Sequence, residues 1–185
     1  MNKPLYLFTF LLFCLAGCKN TNVRTTGQAV ELFDLKPIVE QDIELNKINH
    51  IKQKKIIRIN HKQDIIQTKN VDWAKDLQVL LNSDINKKDW QDKFTVQTTD
   101  QSDSTEVIKY LSVSNKIPVK NMTVLRNKNN QTVQEIYIEK IIQSGLFSNE
   151  QMITYKPATY LKIKSVQKAV FIKDFVSEIE IYFIQ

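Results

Sequence analysis

Thiols, glycines and histidines are all scarce in this chain, with two Cys, three Gly and two His in 185 residues. Cys14 lies inside an N-terminal apolar run and Cys18 closes it, so the sequence after position 18 carries no thiol. A folded part so composed has no disulfide, no thiolate metal site and no cysteine nucleophile. Its core alone must hold it, even in a compartment that permits disulfides. Beyond the leader the glycines are Gly27 and Gly145. Phosphate-cradling loops and nucleophile elbows need several glycines so that the backbone can turn sharply against a ligand, and neither can be assembled here.

His50 and His61 stand 11 residues apart, with Asp64 as the nearest acid. A zinc site wants a third ligand at helical or hairpin spacing, and the pattern offers none. Serines occur without a Gly-x-Ser-x-Gly context. The acid pairs suited to general acid–base work are Asp72/Asp76, an i,i+4 pair expected on the polar side of a helix, and Glu178/Glu180. The latter alternate with Ile179 and Ile181 and are expected to face solvent. The expectation is a protein without catalytic residues, metal or cofactor.

What is present begins at the first residue. Met1-Asn2-Lys3 precedes an apolar run over residues 5–15, and Leu15-Ala16-Gly17-Cys18 follows. At 11 residues the run suits a signal-peptide core and is too short for a membrane span, which takes about 20. Small residues before Cys18 make this a bacterial lipobox, with Cys18 as the acyl acceptor. The expected organisation is a signal peptide over 1–17, a lipidated polar tether over 18–28 and one domain over 29–185. Removing Lys3 takes the net charge from +6 to +5. That excess is too thinly spread to argue for nucleic acid, which an exported chain seldom meets.

The hydropathy pattern changes period along the chain. Over residues 29–48, Leu35, Val39 and Ile43 repeat at i+4, with Ile38, Leu45 and Ile48 beside them and Asp34 and Pro37 at the start. These features predict a helix. Isoleucine-rich runs at 51–59 and 63–68 around Asn60-His61 predict a hairpin, with Asn60 tolerating a left-handed backbone. Trp73, Leu77, Leu80 and Leu81 form one apolar face of a second helix over 72–82, capped by Asn70 or Asp72. From Phe94 the period becomes two, with strands expected at 94–98, 106–113, 119–126, 132–143, 151–155, 159–170 and 177–184. Turn residues separate them, among them Ser144-Gly145 and Lys173-Asp174. The reading is α+β, with N-terminal helices packed on a long antiparallel β-meander.

Three surface features could carry contacts. Lys52, Lys54 and Arg58, in a hairpin that also holds Lys55 and Lys62, share one face and could meet phosphates; lysine-rich edge strands also simply block aggregation. Tyr110, Tyr137, Tyr155, Tyr160 and Tyr182 all fall on expected strands and would line a ligand slot if they shared a face. Asp103-Ser104-Thr105 resembles a short O-glycosylation motif of exported Bacteroidetes proteins, with Ser104 as the acceptor.

The lipobox, the polar tether, Val71-Asp72-Trp73-Ala74-Lys75-Asp76-Leu77, then Ser83-Asp84-Ile85-Asn86-Lys87, Trp90 and Asp92-Lys93-Phe94 carry a further likeness. In that order they resemble a group of outer-membrane lipoproteins of Bacteroidetes bacteria to which no activity is attached. The resemblance implies one functional residue, the lipidated Cys18. Lys19 after that cysteine looks like outer-membrane sorting, and residues 19–22 lack the acidic cluster that resembles a surface-export signal. The expected location is the outer membrane, facing the periplasm. The expected function is a non-catalytic, lipid-anchored envelope protein that binds a protein partner. The alternative is a carrier or sensor of lipid or another apolar ligand, built on a half-barrel-like sheet.

Overall fold

The computed structural model describes residues 21–24, 31–60, 62–68 and 71–184. Residues 1–17, expected to form a signal peptide, as well as Cys18 and His61, lie outside the described residues. Two α-helices, α1 (Lys36–Ile48) and α2 (Trp73–Leu81), accompany ten strands. In chain order these are β1 (Thr21–Arg24), β2 (Lys52–Ile59), β3 (Lys62–Thr68), β4 (Phe94–Asp100), β5 (Thr105–Ser112), β6 (Val119–Asn127), β7 (Val133–Ser144), β8 (Phe147–Lys156), β9 (Tyr160–Ala169) and β10 (Ile172–Ile184). They form one antiparallel sheet in the order β1-β4-β5-β6-β7-β8-β9-β10-β2-β3. The class is α+β and sheet dominates. From β4 to β10 the sheet is an unbroken meander, as short connections between period-two runs require.

The helices do not simply precede the sheet. The β2–β3 hairpin lies between them in sequence and joins the sheet beyond β10, so that β2 is an interior strand and β3 an edge. Lysine-rich β2 therefore does not guard an edge. The other edge is β1, which pairs Thr21–Arg24 with Val96–Thr99 of β4 inside the stretch expected to be free tether. Main-chain pairing on an open strand edge needs no apolar residues, so composition alone does not reveal it.

The two faces of the sheet are distinct. One inner row runs Ile108, Val124, Ile136, Tyr155, Leu161, Ile181 across adjacent strands, and the next runs Val96, Tyr110, Met122, Ile138, Ile153, Ile163, Ile179. Most of these side chains are buried. The helices cover this face. On α2, Trp73, Leu77 and Leu80 point inward, and the Trp73 ring meets Phe183 of β10 edge-on at 4.5 Å. Asp72 caps that helix by accepting the Lys75 N–H at 3.1 Å.

Helix α1 starts later than the pattern predicts. Leu35 is its N-cap, Pro37 falls in the first turn, and Asp34 makes no cap bond. Instead the Leu35 N–H donates to Asp84, beyond α2, at 3.2 Å. Leu35, Val39 and Ile43 are buried as expected, whereas Leu45 and Ile48 are exposed. Asp42 and Asn46 take the inward positions, because Asp42 accepts Tyr155 Oη–H at 2.5 Å and Ala158 N–H at 2.6 Å. A buried carboxylate so satisfied can occupy a site that hydropathy assigns to leucine.

Candidate functional site

At one end of the sheet the covered face changes character. Along β7 the inward residues are Ile136, Ile138, Lys140 and Ile142; the register places Lys140 beside Val119 and Gln151, and Gln151 beside Ser165. The next row sets Ile142 beside Asn149, Asn149 beside Gln167, and Gln167 beside Phe175. Lys140, Ser165 and Asn149 are buried polar residues, with Lys140 only 6% exposed. Ser165 Oγ–H donates to Asn149 Oδ1 at 2.7 Å, which leaves the Asn149 amide N–H groups for another acceptor. Among the described residues Lys140 has no hydrogen-bond or ion-pair partner. Lys120, one residue past Val119, contrasts with it, donating to the carbonyls of Ser114, Asn115 and Ile117 at 3.3, 3.0 and 2.7 Å.

Burial holds the pKa of Lys140 below the ordinary lysine range, and the nearby positive charge of Lys87 lowers it further. The Lys87 ammonium itself lies 4.1 Å from the centroid of the Trp90 ring. Lys87 is thus exposed and held on Trp90, close enough to Lys140 to disfavour its charge. Sequence reading missed Lys140 because charge usually marks the solvent side of a strand, and Tyr137, Glu139 and Ile141 give no cue that the odd positions face out. The signal that was legible is its register with Ile136 and Ile138.

The same end carries exposed apolar residues. Ile59, Ile142, Phe147 and Phe175 stand on the inner face, and the hairpin tips add Leu146, Val170 and Phe171. Leu146 is 71% exposed and Phe171 fully so, the latter with a left-handed φ of 71°. The tips are neighbours, since the Val170 N–H donates to the Leu146 carbonyl at 3.1 Å. A left-handed Phe at a hairpin turn costs strain that Gly or Asn would relieve. Lys173-Asp174, expected to be the turn, instead lies in β10 at a register shift between Ile172 and Phe175.

The other expected candidates are elsewhere. Arg58 shares the outer face with Lys54 and Ile56, but it is engaged, donating to Glu178 at 2.6 Å and Glu180 at 3.0 Å. Lys162 joins the same acids, each at 3.2 Å. Glu178 and Glu180 therefore sit in a four-charge network on the outer face, and Glu180 is buried rather than solvent-facing. Asp76 turns toward the sheet and accepts from Gln53 at 2.7 Å and Lys55 at 2.6 Å, while Asp72 caps. The tyrosines divide: Tyr110 and Tyr155 face the core, and Tyr137, Tyr160 and Tyr182 face out, so the five do not share one face. Burial pushes the Tyr110 hydroxyl up to about 12. His50 ends the α1 segment with a left-handed φ of 49°, and Ser104 lies exposed in the β4–β5 turn. Among the described residues no three His, Cys, Asp or Glu side chains converge as metal ligands would, and no helix is long and apolar enough to cross a membrane.

No family model matches the sequence, and comparison with curated proteins and with solved structures returns no similar chain.

Proposed function

We propose that this protein is a lipid-anchored, non-catalytic envelope protein, held through Cys18 in the outer membrane on its periplasmic face, that binds an envelope protein partner through its apolar hairpin end. The observation that carries this reading is the position of β1. Thr21 pairs with Thr99, which lies in one row with Val107, Leu125 and Glu135. That row is near the start of β7, whereas the apolar tips lie beyond its far end at Ser144. Nine residues of strand, about 30 Å, separate the two levels. Cys18 precedes Thr21 by three residues, which span at most about 10 Å. An acyl chain on Cys18 then holds the β4–β5 turn toward the bilayer and directs Leu146 and Phe171 away from it. An apolar patch aimed away from the anchoring membrane fits a protein surface better than that membrane's own lipid.

A photo-crosslinking amino acid at position 171 of the full chain, in native membranes, tests this. The expected product is a crosslink to one defined protein, absent when the probe is at Lys109 on the outer face of β5. Leu146→Ser should abolish the crosslink without altering abundance, and Cys18→Ala should lose both membrane attachment and crosslink. Crosslinks from position 171 to lipid of the anchoring membrane would overturn the reading.

A further inference from the structure

An edge strand presents a row of unpaired main-chain N–H and C=O groups, and folded proteins blunt such edges with proline, bulges or a very short strand. β3 carries none of these devices. Its seven residues, Lys62–Thr68, contain no proline and pair with β2 from Ile59↔Lys62 to Gln53↔Thr68 without a register shift. On its other side β3 has no neighbouring strand among the described residues. Residues 62–67 are exposed. At the centre Ile65 and Ile66, one on each face of the sheet, are 50% and 42% exposed.

The direction of the free groups follows from the turn. Two residues join Ile59 to Lys62, and the closing pair of such a hairpin exchanges both its main-chain bonds. Alternation then turns the main chain of Lys62, Asp64, Ile66 and Thr68 toward β2, and that of Gln63, Ile65 and Gln67 toward the open edge. The Ile65 N–H is accordingly taken by a side chain, donating to Asp64 Oδ1 at 2.8 Å. Three outward residues centred on Ile65 are self-complementary. In an antiparallel pairing with a second copy about a two-fold axis at Ile65, Ile65 faces Ile65, and Gln63 faces Gln67 of the other copy. Every outward residue is then used, in about six main-chain bonds. Ile56 lies beside Ile65 in β2, so four isoleucines form one row across the axis. Gln63 Oε1 accepts from Arg58 Nε at 2.9 Å, which leaves the Gln63 amide N–H groups for Gln67 of the second copy. On the other face Lys62 meets Thr68 and Asp64 meets Ile66, with no like charges opposed. An axis at Asp64 would set carboxylate against carboxylate, and an axis at Ile66 would place Gln63 opposite a residue beyond β3.

We propose that this edge is a self-association surface, at which two copies of the chain pair antiparallel through β3 about Ile65 and join their sheets. Asp64 is the competitor. In the single chain its carboxylate satisfies the Ile65 N–H; in the pair that N–H donates to the Ile65 carbonyl of the second copy. One strand per side is a small interface, at the weak end for specific complexes, so the pairing is reversible and depends on concentration. It uses neither Leu146 nor Phe171, and it stands or falls independently of the docking proposal.

Sedimentation equilibrium of the full chain in density-matched detergent tests this, with a benzophenone amino acid at position 65 as a second measure in native membranes. The parent should show a monomer–dimer equilibrium, and the photoproduct should join position 65 to residues 62–68 of a second copy. Ile65→Lys opposes two ammonium groups at the axis and should weaken the dimer roughly 10-fold or more. Gln63→Glu combined with Gln67→Glu sets each new acid beside Arg58 or Lys54 of its own β2, so its melting temperature should be unchanged or higher. Across the axis the same acids oppose each other, and the dimer should weaken by a similar factor. Asp64→Ala removes the competing acceptor and should strengthen the dimer. A parent that stays monomeric, a double variant that dimerises as well as the parent, or an Asp64→Ala chain that dimerises no better would each overturn the proposal. A photoproduct with a different protein and none with a second copy would assign the edge to that protein and also overturn self-pairing.

Discussion

Single residues on both faces of the sheet show how charge is carried where hydropathy alone would forbid it. Glu180 is nearly buried on the outer face between Arg58 and Lys162. Burial works against its carboxylate, but the hydrogen bonds and charges of Arg58 and Lys162 outweigh that, and its pKa is held below the ordinary glutamate range. A carboxyl whose pKa falls on folding stabilises the native state above its unfolded pKa, about 4.3, and that contribution is lost as pH falls through the lower folded value. Lys162 shows the converse: burial again opposes the charge, Glu178 and Glu180 outweigh it, and its pKa is raised. The network therefore contributes across neutral pH and fails first on the acid side. Glu180→Gln should be less stable than the parent at pH 7, and the gap should narrow as pH drops below about 4. Urea unfolding midpoints at pH 7, 5 and 3.5 measure this. A gap that widens toward acid would mean that Glu180 is not the stabilising anion.

At the scale of elements, α2 fastens the β2–β3 hairpin and the end of β10 into the core. Trp73 is 1% exposed against Phe183, and one turn further along the same helix Asp76 ties Gln53 and Lys55 of β2. Trp73→Ala removes the largest buried side chain and should cost about 3–5 kcal/mol. Because Phe183 and β2 share that packing, the mutant should also lose hydrogen-exchange protection in β2 before β5. Near-neutral stability would mean that α2 is not docked on β10. Both helices, the hairpin with its left-handed Asn60 (φ of 51°) and the meander were legible in the sequence, since each rests on local periodicity and turn chemistry. What escaped depends on partners distant in sequence. The inward Asp42 is explained only by Tyr155 and Ala158, more than 100 residues away. Likewise β8 and β10 begin several residues before their apolar alternation does, because Ser148, Glu150 and Lys173 are held in the ladder by neighbouring strands rather than by their own propensity. Lys140 was hidden for the same reason: its inward direction follows from strand register, which its own charge contradicts.

At the scale of the whole molecule, the order of strands joins the C-terminal strand to the hairpin that lies between the two helices. β10 lies between β9, its immediate predecessor, and β2, so that Ile181 is set opposite both Leu161 and Lys55, and Glu178 opposite Arg58 at a separation of 120 residues. The meander from β4 to β9 can form through local hairpins. The β2–β3 hairpin has no place in the sheet until the C-terminal strand is laid down, and closing that long loop is entropically costly before contacts repay it. Native packing of α1 and α2 is tied to the same event, since Trp73 rests on Phe183 and Asp76 on β2. Stability should therefore be cooperative across the sheet even though most strand pairs are local. Ile181 is the residue to probe, being 1% exposed at the seam. Ile181→Ala should cost about 2–5 kcal/mol. Its loss should appear in one transition, with tryptophan fluorescence and far-ultraviolet circular dichroism moving together. If the two probes separated, with the strand signal outlasting the fluorescence change, the meander would be stable without its N-terminal hairpin and helices. The seam between β10 and β2 would then be a docking contact rather than part of one folding unit.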